Sequence, residues 1–423
     1  MEKNLYNIEE KPERVVLVGI DRDNKGFDCD ESLDELDDLA KTAGAEVLGK
    51  LIQKRDSDSR SMYLGSGKTE ELKLYCEELN ADGIICYDEL TPSQTDYLEK
   101  NTGFKIMDRT LLILDIFAKH AGSAEGKVQV ELAQLRYKLS HLTGRGREMS
   151  RLGGGIGTRG PGEKKLETDR RRIASRISEL NNELKEIEEH RNVIREKRIN
   201  SKSPVIALIG YTNAGKSTLM NAITGADVLC EDKLFATLDA TTRRIKPTEE
   251  SKSEYLFTDT VGFINKLPHG LIKAFRSTLE EVKYADILIH VVDSSNPTCG
   301  EQMKVVYKLL EELNVKDKPI ITVFNKADKE TSAPLPTDKH ADFCLNISAK
   351  YKKGIDRLLE KIEETVKSFK TEIKALIPYS EGGLLNSVYK NCEIIETEHR
   401  PGGTYVDVYA DEEYILRLKK WEI

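Results

Sequence analysis

The run Val205-Ile206-Ala207-Leu208-Ile209, followed by Gly210-Tyr211-Thr212-Asn213-Ala214-Gly215-Lys216-Ser217, constrains this chain more than any other stretch. Five apolar residues read as a buried strand, and the glycine-bounded loop turns into a helix that continues through Thr218. A strand, a glycine loop, a lysine and a serine in this order form a phosphate-binding loop. Its backbone N–H groups and the helix N-terminus make a concave cradle for a triphosphate. Lys216 brings a point charge to the β- and γ-phosphates, and the Ser217 hydroxyl is a candidate Mg²⁺ ligand.

Three further motifs follow, each after its own strand-like run. Asp259-Thr260-Val261-Gly262 comes after Tyr255-Leu256-Phe257-Thr258, where Asp259 can hold Mg²⁺ through water and the Gly262 N–H can meet the γ-phosphate. Asn325-Lys326-Ala327-Asp328 comes after Ile320-Ile321-Thr322-Val323-Phe324. The Asp328 carboxylate can accept hydrogen bonds from N1–H and the exocyclic amine of guanine, a donor pair that adenine lacks. Ser348-Ala349-Lys350 can present a backbone N–H to the guanine O6. Any one of these tetrapeptides could be an ordinary strand-to-loop turn, but in this order they predict a GTP-binding domain.

Seven cysteines, at 29, 76, 86, 230, 299, 344 and 392, have no C-x-x-C pair or metal-site spacing, as expected of reduced thiols in the cytoplasm. No apolar stretch suits a signal peptide, and none approaches the roughly 20 residues of a membrane span. The expectation is a cytoplasmic protein with no membrane insertion. Net charge is −8, yet between His141 and Arg176 ten basic residues face four acidic ones. Such a local excess is the footprint of a phosphate-backbone contact.

The predicted fold class is α/β, in four parts. Residues 1–120 alternate strands (Val15–Val18, Ala45–Ile52, Gly83–Cys86, Lys105–Met107) with helices near 33–42, 68–79 and 93–99, implying a small parallel sheet. Gly65-Ser66-Gly67-Lys68-Thr69 imitates the end of a phosphate loop, but Met62 stands where the first glycine belongs. We read it as a helix start, with an accessory ATP or RNA contact as the alternative. Residues 121–200 carry two heptad-like stripes, Val128, Leu132, Leu135, Leu139, Leu142 and Ile173, Ile177, Leu180, Leu184, Ile187, Ile194. They predict an antiparallel helical hairpin, or else helices docked on the sheet. Six glycines within positions 153–162 are expected to exclude helix. With Arg145, Arg147, Arg151, Arg159, Lys164 and Lys165 they make a cationic tip suited to RNA. Residues 201–369 form the GTP-binding domain. Residues 370–423 form a small α+β domain with a helix near 384–389 and strands near 392–397, 405–409 and 415–419.

Positions 153–163 (G-G-G-I-G-T-R-G-P-G-E), Phe235-Ala236-Thr237-Leu238-Asp239 and Asp259-Thr260-Val261-Gly262-Phe263 together resemble the HflX family of translational GTPases, across nearly the whole chain. The resemblance implies binding to the large ribosomal subunit and its RNA near the peptidyl transferase centre, and splitting of stalled ribosomes under stress. It implies that positions 210–218 hold phosphates, that Ser217 and Thr237 ligate Mg²⁺, and that Phe235, Ala236, Thr237, Leu238 and Asp239 form the first switch. Lys216, Thr237 and Gly262 would serve hydrolysis of GTP to GDP. Asn325, Lys326 and Asp328, with Ser348, Ala349 and Lys350, would bind guanine. Asn213 stands where related cation-dependent GTPases ligate K⁺, which makes a K⁺ requirement a hypothesis. Ala240 departs from the proline common in the family without removing a ligand. Phe263 stands where many GTPases place a water-orienting glutamine, so hydrolysis by the isolated protein, expected to be a monomer off the ribosome, should be slow. Two other readings remain open: an assembly GTPase of the large subunit, and a nucleotide-gated RNA-remodelling module whose Gly65–Thr69 turn helps bind ATP. A membrane signalling GTPase is disfavoured, because no lipidation motif is present.

Overall fold

The computed structural model describes residues 11–22, 29–55, 61–152, 161–200, 203–225, 234–235, 241–246, 254–265, 281–329 and 334–423. For 143–152, 161–166, 192, 194–200 and 412 it describes the helical backbone alone. The fold is mixed α/β with one parallel sheet, a second that is parallel but for an edge strand, a helical hairpin between them in sequence, and a small antiparallel sheet at the end.

The first sheet has the order β2-β1-β3-β4, all parallel: β1 (Arg14–Asp21), β2 (Glu46–Lys54), β3 (Gly83–Cys86) and β4 (Lys105–Asp108). Parallel neighbours need crossovers, supplied here by α1 (Cys29–Thr42), α2 (Ser66–Leu79) and α3 (Pro92–Thr102). The central strand β1 is apolar on both faces, with Val15 and Leu17 packing towards α1 and Val16 and Val18 towards α2. The glycine-lysine turn at 65–69 starts a helix: Gly65 is the N-cap of α2, and Lys68 pairs with Glu71 at 2.7 Å. A further helix, α4 (Arg109–His120), escaped the sequence reading; Asp108 caps it by accepting from Leu111 N at 2.9 Å.

The hairpin consists of α5 (Ala124–Leu152) and α6 (Pro161–Asn200). Val128, Leu132 and Leu180 are buried between them, with Leu135, Ile177 and Leu184 packed alongside. Cross-helix ion pairs run in opposite directions along the two helices, as an antiparallel register requires: Glu125 pairs with Arg191, and Glu131 further on with Arg176, at 2.8 Å, nearer the start of α6. The stripes therefore pack helix on helix and do not dock on the sheet; α5 reaches the core of the first sheet through another face, with Val130 and Ala133. Gly162 corrects the expectation of a helix-free glycine run, since α6 starts one residue earlier at Pro161, whose fixed φ and missing N–H suit a first helical position. Positions 153–160, with Arg159, lie outside the described residues.

The second sheet has the order β10-β9-β8-β5-β7-β6. Its strands are β5 (Val205–Gly210), β6 (Thr241–Ile245), β7 (Tyr255–Asp259), β8 (Ile287–Asp293), β9 (Ile320–Asn325) and β10 (Phe343–Asn346), with β6 alone antiparallel to its neighbour. Helices α7 (Lys216–Thr224), α8 (Cys299–Glu312) and α9 (Ile355–Ser368) cover it. The C-terminal sheet, β11-β13-β12, is antiparallel: β11 (Thr371–Pro378), β12 (Glu393–Arg400) and β13 (Gly403–Ala410), with α10 (Gly382–Asn391). The strand expected at 415–419 is helix instead, α11 (Glu412–Leu418). Tyr414 and Leu418, four residues apart, are both buried against the sheet, and that spacing belongs to a helix.

Candidate functional site

The four motifs sit at the C-terminal ends of parallel strands of one sheet, β7 and β5 on one side of β8 and β9 and β10 on the other, where open α/β sheets place their ligands. Gly210 ends β5, Tyr211 to Gly215 form the loop, and Lys216, Ser217 and Thr218 open α7. Asp259 ends β7 and is followed by Thr260, Val261 and Gly262; Asn325 ends β9, ahead of Lys326 and Asp328. Ser348, Ala349 and Lys350 follow β10.

Backbone demands explain the two loop glycines. Gly215 has φ +93°, and a Cβ there would strike the Asn325 amide; one on Gly210 (φ +151°) would strike the Val291 carbonyl. Asn325 ties two motifs together, donating to Ala214 O at 2.9 Å and accepting from Ala349 N at 3.0 Å. Ser348 donates to Asp328 Oδ1 at 2.5 Å, which holds that carboxyl below its usual range. The loop is also zipped to the turn after β7: Thr212 N donates to Phe263 O at 2.7 Å, and Phe263 N to Gly210 O at 3.0 Å.

Lys216 is 6% exposed and donates to the Gly210 and Tyr211 carbonyls at 3.2 and 2.9 Å. Burial pushes its pKa down to about 8, with Asp259 opposing the shift. Ser217 donates to Asp259 Oδ2 at 2.8 Å. Two adjacent oxygen ligands suit a hard divalent ion completed by substrate phosphates and water. Among the described residues no group of three His, Cys, Asp or Glu is placed to hold a metal; the hard oxygen donors of Ser217 and Asp259 fit Mg²⁺ carried with a nucleotide. The Thr212 hydroxyl is buried with no partner among the described residues, beside Gly262.

Other expected site residues fall elsewhere. Phe235 is buried against Phe117 of α4, ring centroids 4.7 Å apart and nearly perpendicular. Ala236, Thr237, Leu238 and Asp239 lie outside the described residues. Arg145, Arg147 and Arg151 lie on the last turns of α5, and Lys164 and Lys165 on the first turns of α6, far along the chain from the loops. Sequence reasoning missed Asp293, which ends β8 and pairs with Lys326 at 2.8 Å. An apolar run closing on an acid, Ile287-Leu288-Ile289-His290-Val291-Val292-Asp293, was the available sign.

A cavity of about 290 Å³ opens between the first and second sheets, lined by Glu31, Asp34 and Asp38 of α1 and by Asn213 and Asp293 opposite. Its carboxylates disfavour a polyphosphate, so the loop rather than this cavity defines the phosphate cradle.

Among the described residues no helix is long and apolar enough to cross a membrane. Three family models match in series: a GTP-binding GTPase N-terminal region at 30–118, a GTP-binding GTPase middle region at 120–198, and a 50S ribosome-binding GTPase at 205–326. The chain is 48% identical to the GTPase HflX of Lacrimispora saccharolytica over 98% of its own length and 97% of that protein. It is 49% identical to that of Caldanaerobacter subterraneus over 97% and 94%, and 38% identical to that of Escherichia coli over 87% and 86%. The GTP-binding protein of Sulfolobus solfataricus in complex with GDP aligns at 26% identity over 84% of this chain and 99% of its own, with a TM-score of 0.45, too loose a superposition to carry the assignment. Identity near one half over nearly the whole chain exceeds what a shared nucleotide-binding module alone would give, and the chain belongs to the HflX family of GTPases.

Proposed function

We propose that this chain hydrolyses GTP to GDP and phosphate as a switch that binds the large ribosomal subunit and splits stalled ribosomes. The observation that carries the nucleotide half is Asn325, whose one amide bridges the phosphate loop and the Ser348-Ala349-Lys350 turn. That bridge supports one pocket with phosphates at one end and a base at the other. Lys216 would exchange the two loop carbonyls for β- and γ-phosphate oxygens, and the Gly262 N–H and Thr212 hydroxyl would meet the γ-phosphate. Ser217 and Asp259, with Thr237, would hold Mg²⁺, which neutralises charge on the phosphates when bound. Phe263 offers no polar group to orient water, so turnover by the isolated protein is slow and rises on the ribosome. The family description of a ribosome-binding GTPase and the basic hairpin support the partner. K⁺ beside Asn213 belongs to the same reading, and equal rates in K⁺ and Na⁺ would dismiss it; a part in large-subunit assembly is the alternative, in which loss of the protein would make precursor subunits accumulate.

The test is GTP hydrolysis with and without purified large subunits, with Lys216→Ala as the blank. Strong stimulation is expected, and none by subunits or whole ribosomes would sink the ribosomal half.

Base choice gives a separate prediction. The Asp328 carboxylate, held by Ser348, would accept from guanine N1–H and its amine. Asp328→Asn puts a donor there, so affinity for GTP should fall by about a hundredfold or more while xanthosine triphosphate, with an oxygen in place of the amine, gains. Competition binding with both nucleotides reads this directly, and unchanged preference for GTP would remove Asp328 from base recognition.

A further inference from the structure

The first sheet's helices reach the phosphate loop through one closed ring of polar groups, of which Tyr211 and Arg109 are buried and Glu35 and Asn265 partly so. Tyr211, second residue of the phosphate loop and 5% exposed, donates its hydroxyl hydrogen to Glu35 Oε2 of α1 at 2.5 Å. The same hydroxyl oxygen accepts from Asn265 N at 2.8 Å, three residues beyond Gly262. The Asn265 carbonyl accepts from Arg109 Nη1 of α4 at 2.6 Å, and Arg109 Nη2 returns to Glu35 in a salt bridge. Arg109 is 3% exposed, and its guanidinium also lies 5.2 Å from the centre of the Tyr87 ring.

A fully buried arginine costs too much to serve only as filler, and this one is engaged by a carboxylate, a carbonyl and an aromatic face. Its fork spans Glu35 and Asn265 at once, which lysine could not do. Both backbones that would flank the γ-phosphate are thereby tied to one ion pair between α1 and α4, helices that cover the first sheet. Tyr211 belongs to one, Asn265 to the other, and the Tyr211–Phe263 bridge joins them just inside the ring. A second tie lies nearby: Leu234 N donates to Thr42 of α1 at 3.3 Å, and Phe235 packs on Phe117.

We propose that Glu35 and Arg109 are positioning residues for GTP hydrolysis, acting through the Tyr211 hydroxyl to hold the backbone from Gly262 to Asn265 against the phosphate loop. Neither touches the nucleotide. They set where the Gly262 N–H stands relative to Lys216, a separation that matters because small misplacements of a pre-organised donor cost large factors in rate. The inference rests on the hydrolytic reading given above and deepens it, making helices outside the GTP-binding domain part of its catalytic apparatus.

The experiment compares full-length wild type, Tyr211→Phe, Arg109→Lys and the double variant by steady-state GTP hydrolysis, binding of fluorescent GDP, and thermal melting. Tyr211→Phe keeps the buried ring and removes only the two hydroxyl bonds. We expect kcat to fall about tenfold, with KM for GTP and Kd for GDP changed less than about threefold. Arg109→Lys should lower kcat likewise, and the double variant should lose little more than the worse single one, since the groups act as a unit. An unchanged kcat in Tyr211→Phe, or losses in binding equal to those in kcat, would overturn the inference and leave the ring a structural brace. Wild-type turnover no faster than the Lys216→Ala blank would instead overturn the hydrolytic reading, and this inference with it.

Discussion

Replacing Lys216 with methionine is expected to abolish GTP turnover while leaving the nucleotide-free fold at least as stable as wild type at neutral pH. The first half follows from charge: the ammonium is the cation best placed in the cradle, and loss of such a pre-organised contact lowers turnover by about a hundred- to a thousandfold. The second half follows from burial. With the pKa pushed down from 10.5 to about 8, the charged form is disfavoured by about 3 kcal/mol relative to the unfolded chain. The residue is almost wholly buried, so solvent screening relieves little of this. The carbonyls that Lys216 holds keep other donors, Gly210 O from Phe263 N and Tyr211 O from Ala214 N, so methionine strands neither acceptor. The charging cost applies in full below pH 8, where Lys216 is protonated in both states. It shrinks as pH rises towards 10.5, because there the unfolded chain binds the proton that the folded one has released. Wild-type stability should therefore gain on the Lys216→Met variant between pH 7 and pH 9.5. Thermal melts without nucleotide at those two pH values check this, and a variant melting well below wild type at pH 7 would show that the lysine stabilises the empty loop.

The residues that decide the site were legible because each motif combines a strand and a turn within one short window. Gly210 to Ser217 and Asn325 to Asp328 satisfy both local demands, and they landed at the same end of one sheet, with β8 between their strands. The ring around Tyr211 was not legible. Glu35, Arg109 and Asn265 are separated by 74 and 156 positions, and a tertiary contact between two sheets leaves no periodicity along a chain. Helix α4 was missed for a related reason: Leu111-Leu112-Ile113-Leu114 looks continuous, because the helix is buried on several sides and shows no polar stripe. At the tail, β11 alternates buried Ile373, Ala375 and Ile377 with more exposed neighbours, a period of two that was present but unread. The misassigned segment 415–419 holds apolar residues at a spacing that suits either element. Burial of Tyr414 and Leu418 on one face decided for helix.

Replacing Arg145, Arg147, Arg151, Lys164 and Lys165 together with glutamine should weaken binding to the large ribosomal subunit and flatten its salt dependence, while GTP binding by the isolated protein changes less than about twofold. Helices of 29 and 40 residues are about 43 and 60 Å long at 1.5 Å per residue, so α5 and α6 carry these five positions well away from the phosphate loop. At the other end Arg191 pairs with Glu125 across the hairpin and with Glu281 of the GTP-binding domain at 3.8 Å, tying the arm's base to the domain that would switch. The remaining cations of the arm do not contribute equally. Arg176 is committed to Glu131 and Glu179, and Arg171 to Glu167, so removing either should cost hairpin stability before it costs RNA affinity. That difference makes Arg176→Gln the control. If the five end residues neutralise phosphates, the slope of log affinity against log salt should become shallower by about 4, close to one unit for each charge removed. Arg176→Gln should leave that slope alone. Equilibrium binding to purified large subunits at several salt concentrations measures both. A slope unchanged by the five substitutions would mean that the arm meets its partner through something other than phosphate charge, and the excess of basic residues would then serve only to keep the arm solvated.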